Sequence, residues 1–209
     1  MEAIFYPTDH IFQEPKLSYD TSISVSEGDT FSNAWDGACC LNFASHRRPG
    51  GGYKGKAQAQ EEDLFRRSNL PQLMDIDEVH SYYPIKDLEA FYCPKVLIEK
   101  DAQLIPLVEP SNEVSVITLP AIVSPKMSDM KDVSRRVRRI LQIAYDQNQD
   151  DLILGAWGCG VFRNDPGIVA AMFHKHLSVE FLGAFDCVVF AIPNKRSANF
   201  VAFEKEFFE

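Results

Sequence analysis

The apolar positions of the chain fall into two kinds of pattern. Residues 22–25 alternate polar and apolar side chains, the period-two signature of a strand. Gly37-Ala38-Cys39-Cys40-Leu41-Asn42-Phe43 is a short apolar run of the kind that forms a buried strand. Between them, Asp29 or Thr30 is placed to cap a short helix reaching Trp35. Residues 57–70 favour helix, and Pro71 limits its extension. From 82 to 108 aromatic and proline residues break the periodicity, and strands are expected only near 95–99 and 102–108. The second half is more regular. Residues 114–119 are a β-branched run suited to a central strand. Val133, Val137, Ile140, Leu141 and Ala144 recur at helical spacing and predict an amphipathic helix over 132–146. A strand over 151–156, a glycine-bearing loop at 158–160, a helix over 166–177 capped by Asn164 or Asp165, and a strand over 185–192 follow. Strands alternating with helices predict an α/β three-layer domain, read as a single domain over 1–209.

Composition narrows this reading. At 209 residues the chain is long enough to bury roughly 70% of its unfolded surface without disulfide or metal staples. Apolar residues make up 45% and charged residues 24%, which argues against general disorder. Fifteen phenylalanines point to aromatic packing or an aromatic-lined pocket. The net charge of -9 disfavours general nucleic-acid binding, which rests on Lys and Arg neutralising phosphates. It leaves room for a small anionic ligand held by backbone amides. Five cysteines without C-x-x-C spacing suggest neither a disulfide framework nor a zinc site, so a reduced protein is expected. With no signal peptide and no apolar run near the roughly 20 residues of a membrane helix, a soluble, cytoplasmic protein without a membrane partner is expected.

Two loops carry the candidate chemistry, because open α/β sheets bind ligands at the carboxyl ends of their strands. The first runs from Asn42 and Ser45 through Gly50-Gly51-Gly52 to Gln60-Glu61-Glu62. Three glycines let the backbone bend and approach a ligand closely, although a bare glycine triplet also serves as a flexible turn. Residues 42–60 hold Arg47, Arg48, Lys54 and Lys56 and no acid, a local reversal of sign that suits an anion or a plain solvated loop. The second loop, Gly158-Cys159-Gly160-Val161-Phe162, joins a strand to a helix N-terminus, where free N–H groups and the helix dipole favour phosphate. It matches neither the Walker A pattern nor the G-x-G-x-x-G fingerprint.

Other features have plainer readings. Glu61 and Glu62 do not face each other on a helix, and an acidic first turn is ordinarily a solvated, dipole-compatible face. The five histidines lack metal-binding spacing, so neither metal nor cofactor is expected. Cys159, in a phosphate-type loop, is open to a lowered pKa. Arg135, Arg136, Arg138 and Arg139 read as a solvated helix face.

Taken together, Gly50-Gly51-Gly52, seven intervening residues and Gln60-Glu61-Glu62 resemble the signature of poly(ADP-ribose) glycohydrolases. The flanking Leu41-Asn42-Phe43-Ala44-Ser45 and the run from Leu154 through Gly158 and Phe162 to Pro166 resemble the microbial, bacterial-type branch. The resemblance implies a macrodomain-like α/β/α sandwich with a mixed central sheet and ADP-ribose in a cleft at the strand ends. It implies that Glu62 is the general acid for the ribose–ribose bond and that Glu61 orients the terminal ribose. Gln60, Asn42 and Ser45 would hold the catalytic loop or ribose. The amides of Gly50, Gly51 and Gly52 and of Gly158, Cys159, Gly160, Val161 and Phe162 would wrap the diphosphate, with Phe162 against ribose or adenine. The implied substrate is poly(ADP-ribose) or an ADP-ribosylated macromolecule, and the implied product is ADP-ribose. A non-catalytic ADP-ribose reader and a hydrolase of mono-ADP-ribose on protein or nucleic acid are the alternatives. Lys54 and Lys56 are expected near the entrance, aiding encounter with a polyanion. One departure stands out: Leu119-Pro120-Ala121-Ile122-Val123 follows a strand where related sequences often place Asn after an Ala-Pro pair.

Overall fold

The computed structural model describes residues 2–109 and 112–209. One sheet of seven strands spans it: β1 (Ile4–Tyr6), β2 (Ser22–Glu27), β3 (Cys39–Phe43), β4 (Ala90–Leu97), β5 (Glu113–Leu119), β6 (Asp151–Leu154) and β7 (Cys187–Ile192). Their spatial order is β1-β4-β5-β3-β6-β7-β2. The five strands from β5 to β2 are mutually parallel. β4 and β1 extend the β5 edge with antiparallel pairing, so the sheet is mixed.

Strict alternation of apolar side chains explains the three layers. Cys39 and Leu41 of β3, Leu152 and Leu154 of β6, and Val188, Phe190 and Ile192 of β7 face one side. There they meet α4 (Met130–Asp146), α5 (Pro166–Ser178) and α6 (Ala198–Phe208) through Val137, Ile140, Val169, Phe173, Phe200 and Phe203. Cys40, Ile153, Val189 and Ala191 face the other side. They pack on Leu64 and Phe65 of α1 (Gln60–Arg67), Leu70 and Met74 of α2 (Leu70–Met74) and Val79 of α3 (Asp77–His80). The result is an α/β/α sandwich with one apolar core on each face of the sheet. No helix among the described residues is long and apolar enough to cross a membrane.

Several local expectations are corrected. Residues 102–108 form no strand: Leu104, Ile105 and Val108 are exposed, and Asp101 accepts the N–H groups of Gln103 and Ile105 to make a turn. The strand expected near 95–99 begins earlier, at Ala90, and is broken in register between Cys93 and Val96, where Pro94 and Lys95 (φ 55°) intervene. The expected helix over 57–70 is shorter, and Pro71 sits in the first turn of α2 rather than simply ending α1. Residues 31–33 make a single 3-10 turn, anchored by Asp29, which accepts the Ser32 N–H. Asp165, not Asn164, caps α5. The basic face of α4 is not uniformly solvated. Arg139 is buried and donates to the Leu88 and Pro7 carbonyls, while Arg138 pairs with Glu180.

The loops after β3, β5 and β6, three adjacent strands, leave the sheet at the same edge. Their convergence creates the cleft described next.

Candidate active site

The site is built on the first two turns of α1. Gln60 turns back to the end of β3: its Oε1 accepts the Phe43 N–H (2.8 Å), and its Nε2 donates to the Leu41 carbonyl (2.7 Å) and Thr30 Oγ1 (2.9 Å). This fixes the helix against the strand. Glu61 accepts N–H bonds from Ser45 (2.7 Å) and Gly50 (3.1 Å). Glu62 accepts them from Gly52 (2.8 Å) and from Ala59 (3.1 Å), the latter as half of a capping box. Four backbone donors therefore hold two adjacent carboxyl groups, and the expectation of a solvated acidic turn fails. Glu61 is 3% exposed and Glu62 7% exposed.

Gly51 explains how neighbours on a helix come to share a site. Its backbone is left-handed, at φ +55°, and it lies over both carboxyl groups. A Cβ there would meet Glu62 Oε1 at 2.5 Å and Glu61 Oε2 at 2.9 Å. The two side chains leave the helix in different directions but end beside the same glycine. Burial, reinforced by the charge of Glu62, pushes the Glu61 carboxyl up to about 8 even though the Ser45 and Gly50 amides oppose the shift.

Arg66, one turn beyond Glu62, closes the same loop from outside. It donates to the carbonyls of Tyr53 (2.9 Å), Gly55 (3.2 Å) and Ala57 (2.6 Å). Sequence reasoning missed Arg66; its i+4 relation to Glu62 was visible, but its carbonyl partners were not.

Above the carboxyl groups is a cleft of about 820 Å³, whose walls include Ser45, Arg47, Arg48, Gly51, Glu61, Glu62 and Phe162. It continues into a smaller, more apolar recess of about 270 Å³ bounded by Phe43, Gln60, Ala121, Gly158, Gly160 and Phe162. The 158–162 loop is fixed from below. Trp157 Nε1 donates to the Leu119 carbonyl (3.0 Å), and Asn164 Nδ2 donates to the carbonyls of Ile122 (2.8 Å) and Gly158 (3.0 Å). Asn164, predicted only as a helix cap, thus ties the loop after β6 to the loop after β5. Among the described residues the loop's backbone bonds use the N–H groups of Cys159, Arg163 and Asn164 and leave those of Gly158, Gly160, Val161 and Phe162 unpaired.

The remaining candidate residues separate by position. Asn42 is fully buried at the end of β3 and donates from Nδ2 to Thr118 Oγ1, while its Oδ1 is unpartnered. Gly50 is buried against the rings of Phe65 and Tyr53. The Gly50 and Gly52 amides, expected to wrap a diphosphate, are occupied by Glu61 and Glu62. Cys159 turns its Sγ toward the Trp157 carbonyl and borders neither part of the cleft. Burial pushes its thiol up to about 12, opposite to the lowered pKa considered for it. Lys54 and Lys56 line a separate pocket on the outer side of the glycine loop, where Lys54 is paired with Asp75 (2.6 Å). Among the described residues no group of three His, Cys, Asp or Glu side chains is placed to hold a metal ion.

Comparisons with known proteins agree with this geometry. The family described as microbial-type PARG, catalytic domain, matches residues 2–100. No curated protein matches the chain. Among solved structures, poly(ADP-ribose) glycohydrolase from Deinococcus radiodurans in complex with ADP-ribose is 34% identical, with 90% of this chain and 85% of that chain covered and a TM-score of 0.79. The enzyme from Thermomonospora curvata is 29% identical over 98% of this chain and 85% of that chain, with a TM-score of 0.82. The same enzyme bound to the inhibitor ADP-HPD is 33% identical over 90% of this chain and 79% of that chain, with a TM-score of 0.78. A glycine loop folded over two buried glutamates, on a mixed α/β/α sandwich that superposes on these enzymes, places the chain in the microbial-type poly(ADP-ribose) glycohydrolase family.

Proposed function

We propose that the chain, acting as a single domain over 1–209, hydrolyses the O-glycosidic ribose–ribose bonds of poly(ADP-ribose) and releases ADP-ribose. The observation that carries this reading is the pair of buried carboxyl groups held by four backbone N–H groups at the floor of the cleft. The raised Glu61 carboxyl keeps one proton on the pair near neutral pH. A site meant only to bind anions gains nothing from two buried acids; a glycosidase needs that proton.

In this reading the terminal ADP-ribose lies along the cleft, with its diphosphate on the unpaired amides of Gly160, Val161 and Phe162. Phe162 and Phe43 offer apolar surface to ribose or adenine, and Ser45, Gln60 and the buried Asn42 support the ribose end. Glu61 orients the terminal ribose through its hydroxyls. The proton that the pair holds passes through Glu62, the less buried acid, to the departing ribose oxygen as the C–O bond breaks through an oxocarbenium-like state, leaving both carboxyl groups ionised. Water then adds at the anomeric carbon, and its proton returns to Glu62 or is taken by a substrate phosphate. Gly50, Gly51 and Gly52 act by holding the acids, while the Gly158 and Cys159 segment shapes the diphosphate loop. The five free thiols fit the cytoplasm as the place of reaction.

The test is to assay the purified chain in parallel on poly(ADP-ribose), a mono-ADP-ribosylated protein and ADP-ribosylated DNA. Release of free ADP-ribose from the polymer, faster than from either mono-modified substrate, is expected. Tight ADP-ribose binding without product from any of the three would instead identify a reader. Release from a mono-modified substrate alone would identify a hydrolase of single attachments.

A further inference from the structure

The outer side of the glycine loop carries a second pocket of about 660 Å³, bounded by Arg48, Tyr53, Lys54, Lys56, Asp75 and His80. It shares Arg48, Gly51, Gly52 and Ala57 with the catalytic cleft, so the two are divided only by the loop that holds the acids. Glu62 is bonded to the Gly52 N–H in that dividing wall. A glycosidic bond brought to Glu62 lies in the main cleft, and the outer pocket begins across the Gly51-Gly52 wall on which Glu62 is held.

The two sides differ in chemistry. The main cleft has apolar rings and unpaired amides suited to the ADP-ribose unit being released. The outer pocket is cationic. Its acid, Asp75, is engaged on both oxygens: Oδ2 by Tyr53 Oη (2.6 Å) and Lys54 Nζ (2.6 Å), and Oδ1 by His80 Nε2 (2.7 Å). This network fixes the pocket wall and answers the one negative charge, while the Arg48 and Lys56 side chains remain exposed. In a chain of net charge -9, a walled basic pocket beside the reaction centre is a local exception.

We propose that this pocket is the leaving-group subsite: it binds the diphosphate of the ADP-ribose unit on the far side of the scissile bond. The proposal rests on the glycohydrolase reading above. It replaces general electrostatic attraction by Lys54 and Lys56 with a defined contact, and it makes a phosphorylated leaving group a determinant of specificity. A substrate whose leaving group carries no phosphate does not engage it.

The experiment compares two substrates: a two-unit ADP-ribose polymer, and ADP-ribose joined at the same anomeric carbon to p-nitrophenol. For Lys54→Gln/Lys56→Gln, KM on the two-unit polymer rises roughly tenfold, the loss of a charge-assisted contact, while kcat/KM on the p-nitrophenyl substrate stays within about twofold. Lys54→Arg/Lys56→Arg restores the polymer KM. Lys56→Gln alone, which leaves the Lys54–Asp75 pair in place and disturbs no ion pair among the described residues, shows a smaller rise of the same kind. An equal change on both substrates, or an unchanged KM on the two-unit polymer, overturns the subsite. A wild-type chain that cleaves neither substrate overturns the glycohydrolase reading itself, and the subsite with it.

Discussion

Replacing Gly51 by alanine tests the packing of the loop on the two acids. The backbone at φ +55° costs an L-residue about 1–2 kcal/mol. The new methyl would lie 2.5 Å from Glu62 Oε1 and 2.9 Å from Glu61 Oε2, so both carboxyl groups must move. Neither moves freely, because each is held by two backbone N–H groups, and a hydrogen bond to a charged group contributes about 1.5–3 kcal/mol. Losing the Gly52 bond to Glu62 and adding the backbone strain gives a destabilisation of about 2.5–5 kcal/mol. For a chain of this size that lowers the thermal midpoint by on the order of 10 °C. Displacing a catalytic carboxyl by about 1 Å lowers kcat/KM by roughly 100-fold or more. Calorimetry gives the first quantity and ADP-ribose release from polymer the second. Gly55→Ala is the stability control, since a Cβ there meets only the Gly52 carbonyl oxygen at 3.4 Å. A Gly51→Ala protein with the midpoint and turnover of the wild type would refute the packing of this loop on the acids.

Three other outcomes are expected. The Glu61 carboxyl is raised from 4.5 to about 8, so the folded chain binds more protons than the unfolded chain between those values, and stability falls as pH rises through that window. Glu61→Gln removes this slope; thermal midpoints of the two proteins that stay parallel from pH 5 to 9 would contradict it. Arg66→Gln frees the carbonyls of Tyr53, Gly55 and Ala57 and lowers kcat roughly tenfold, with Arg66→Lys recovering part of the loss in steady-state assays. Asn164→Ala unties the loops after β5 and β6, costing about 1–3 kcal/mol in chemical denaturation and weakening ADP-ribose in calorimetry; unchanged affinity would show that the 158–162 loop does not hold the diphosphate.

The regular elements were legible because apolar periodicity and burial coincide in them. β3, β5, β7 and α4 alternate or recur as their packing faces require. β1 is a three-residue edge strand whose pattern is too short to register. β4 was displaced because Pro94 and Lys95 interrupt its alternation at the bulge. α6 went unassigned although Ser197 caps it and Phe200, Phe203 and Phe207 recur at helical spacing, so there the signal was present. The apolar residues of 102–108 misled in the opposite direction, because they are exposed and follow a turn.

At the site, the resemblance named Glu61, Glu62 and the glycines, but local rules alone assigned the acidic turn to solvent. A helix N-terminus ordinarily leaves its carboxylates in water. Here the N–H groups of Ser45, Gly50 and Gly52, far from the helix in conformation though near in sequence, replace that water. The same bonds give the glycine loop a different task from the one expected: the Gly50 and Gly52 amides hold the acids, and the unpaired amides lie in the 158–162 segment. Asn164 reaches the Ile122 carbonyl only when the loops after β5 and β6 meet, a juxtaposition that no window of sequence contains. Arg66 finds its carbonyls in the loop just before its own helix, where sequence does not reveal how that loop folds back.

The central claim is that Glu62 supplies the proton to the departing ribose. The most direct measurement pairs ADP-ribose release from poly(ADP-ribose) with calorimetric binding of ADP-ribose for Glu62→Gln. The account predicts a loss of turnover on the order of 1,000-fold with affinity retained within about threefold. Turnover at the wild-type level in Glu62→Gln, with ADP-ribose still bound, would contradict it.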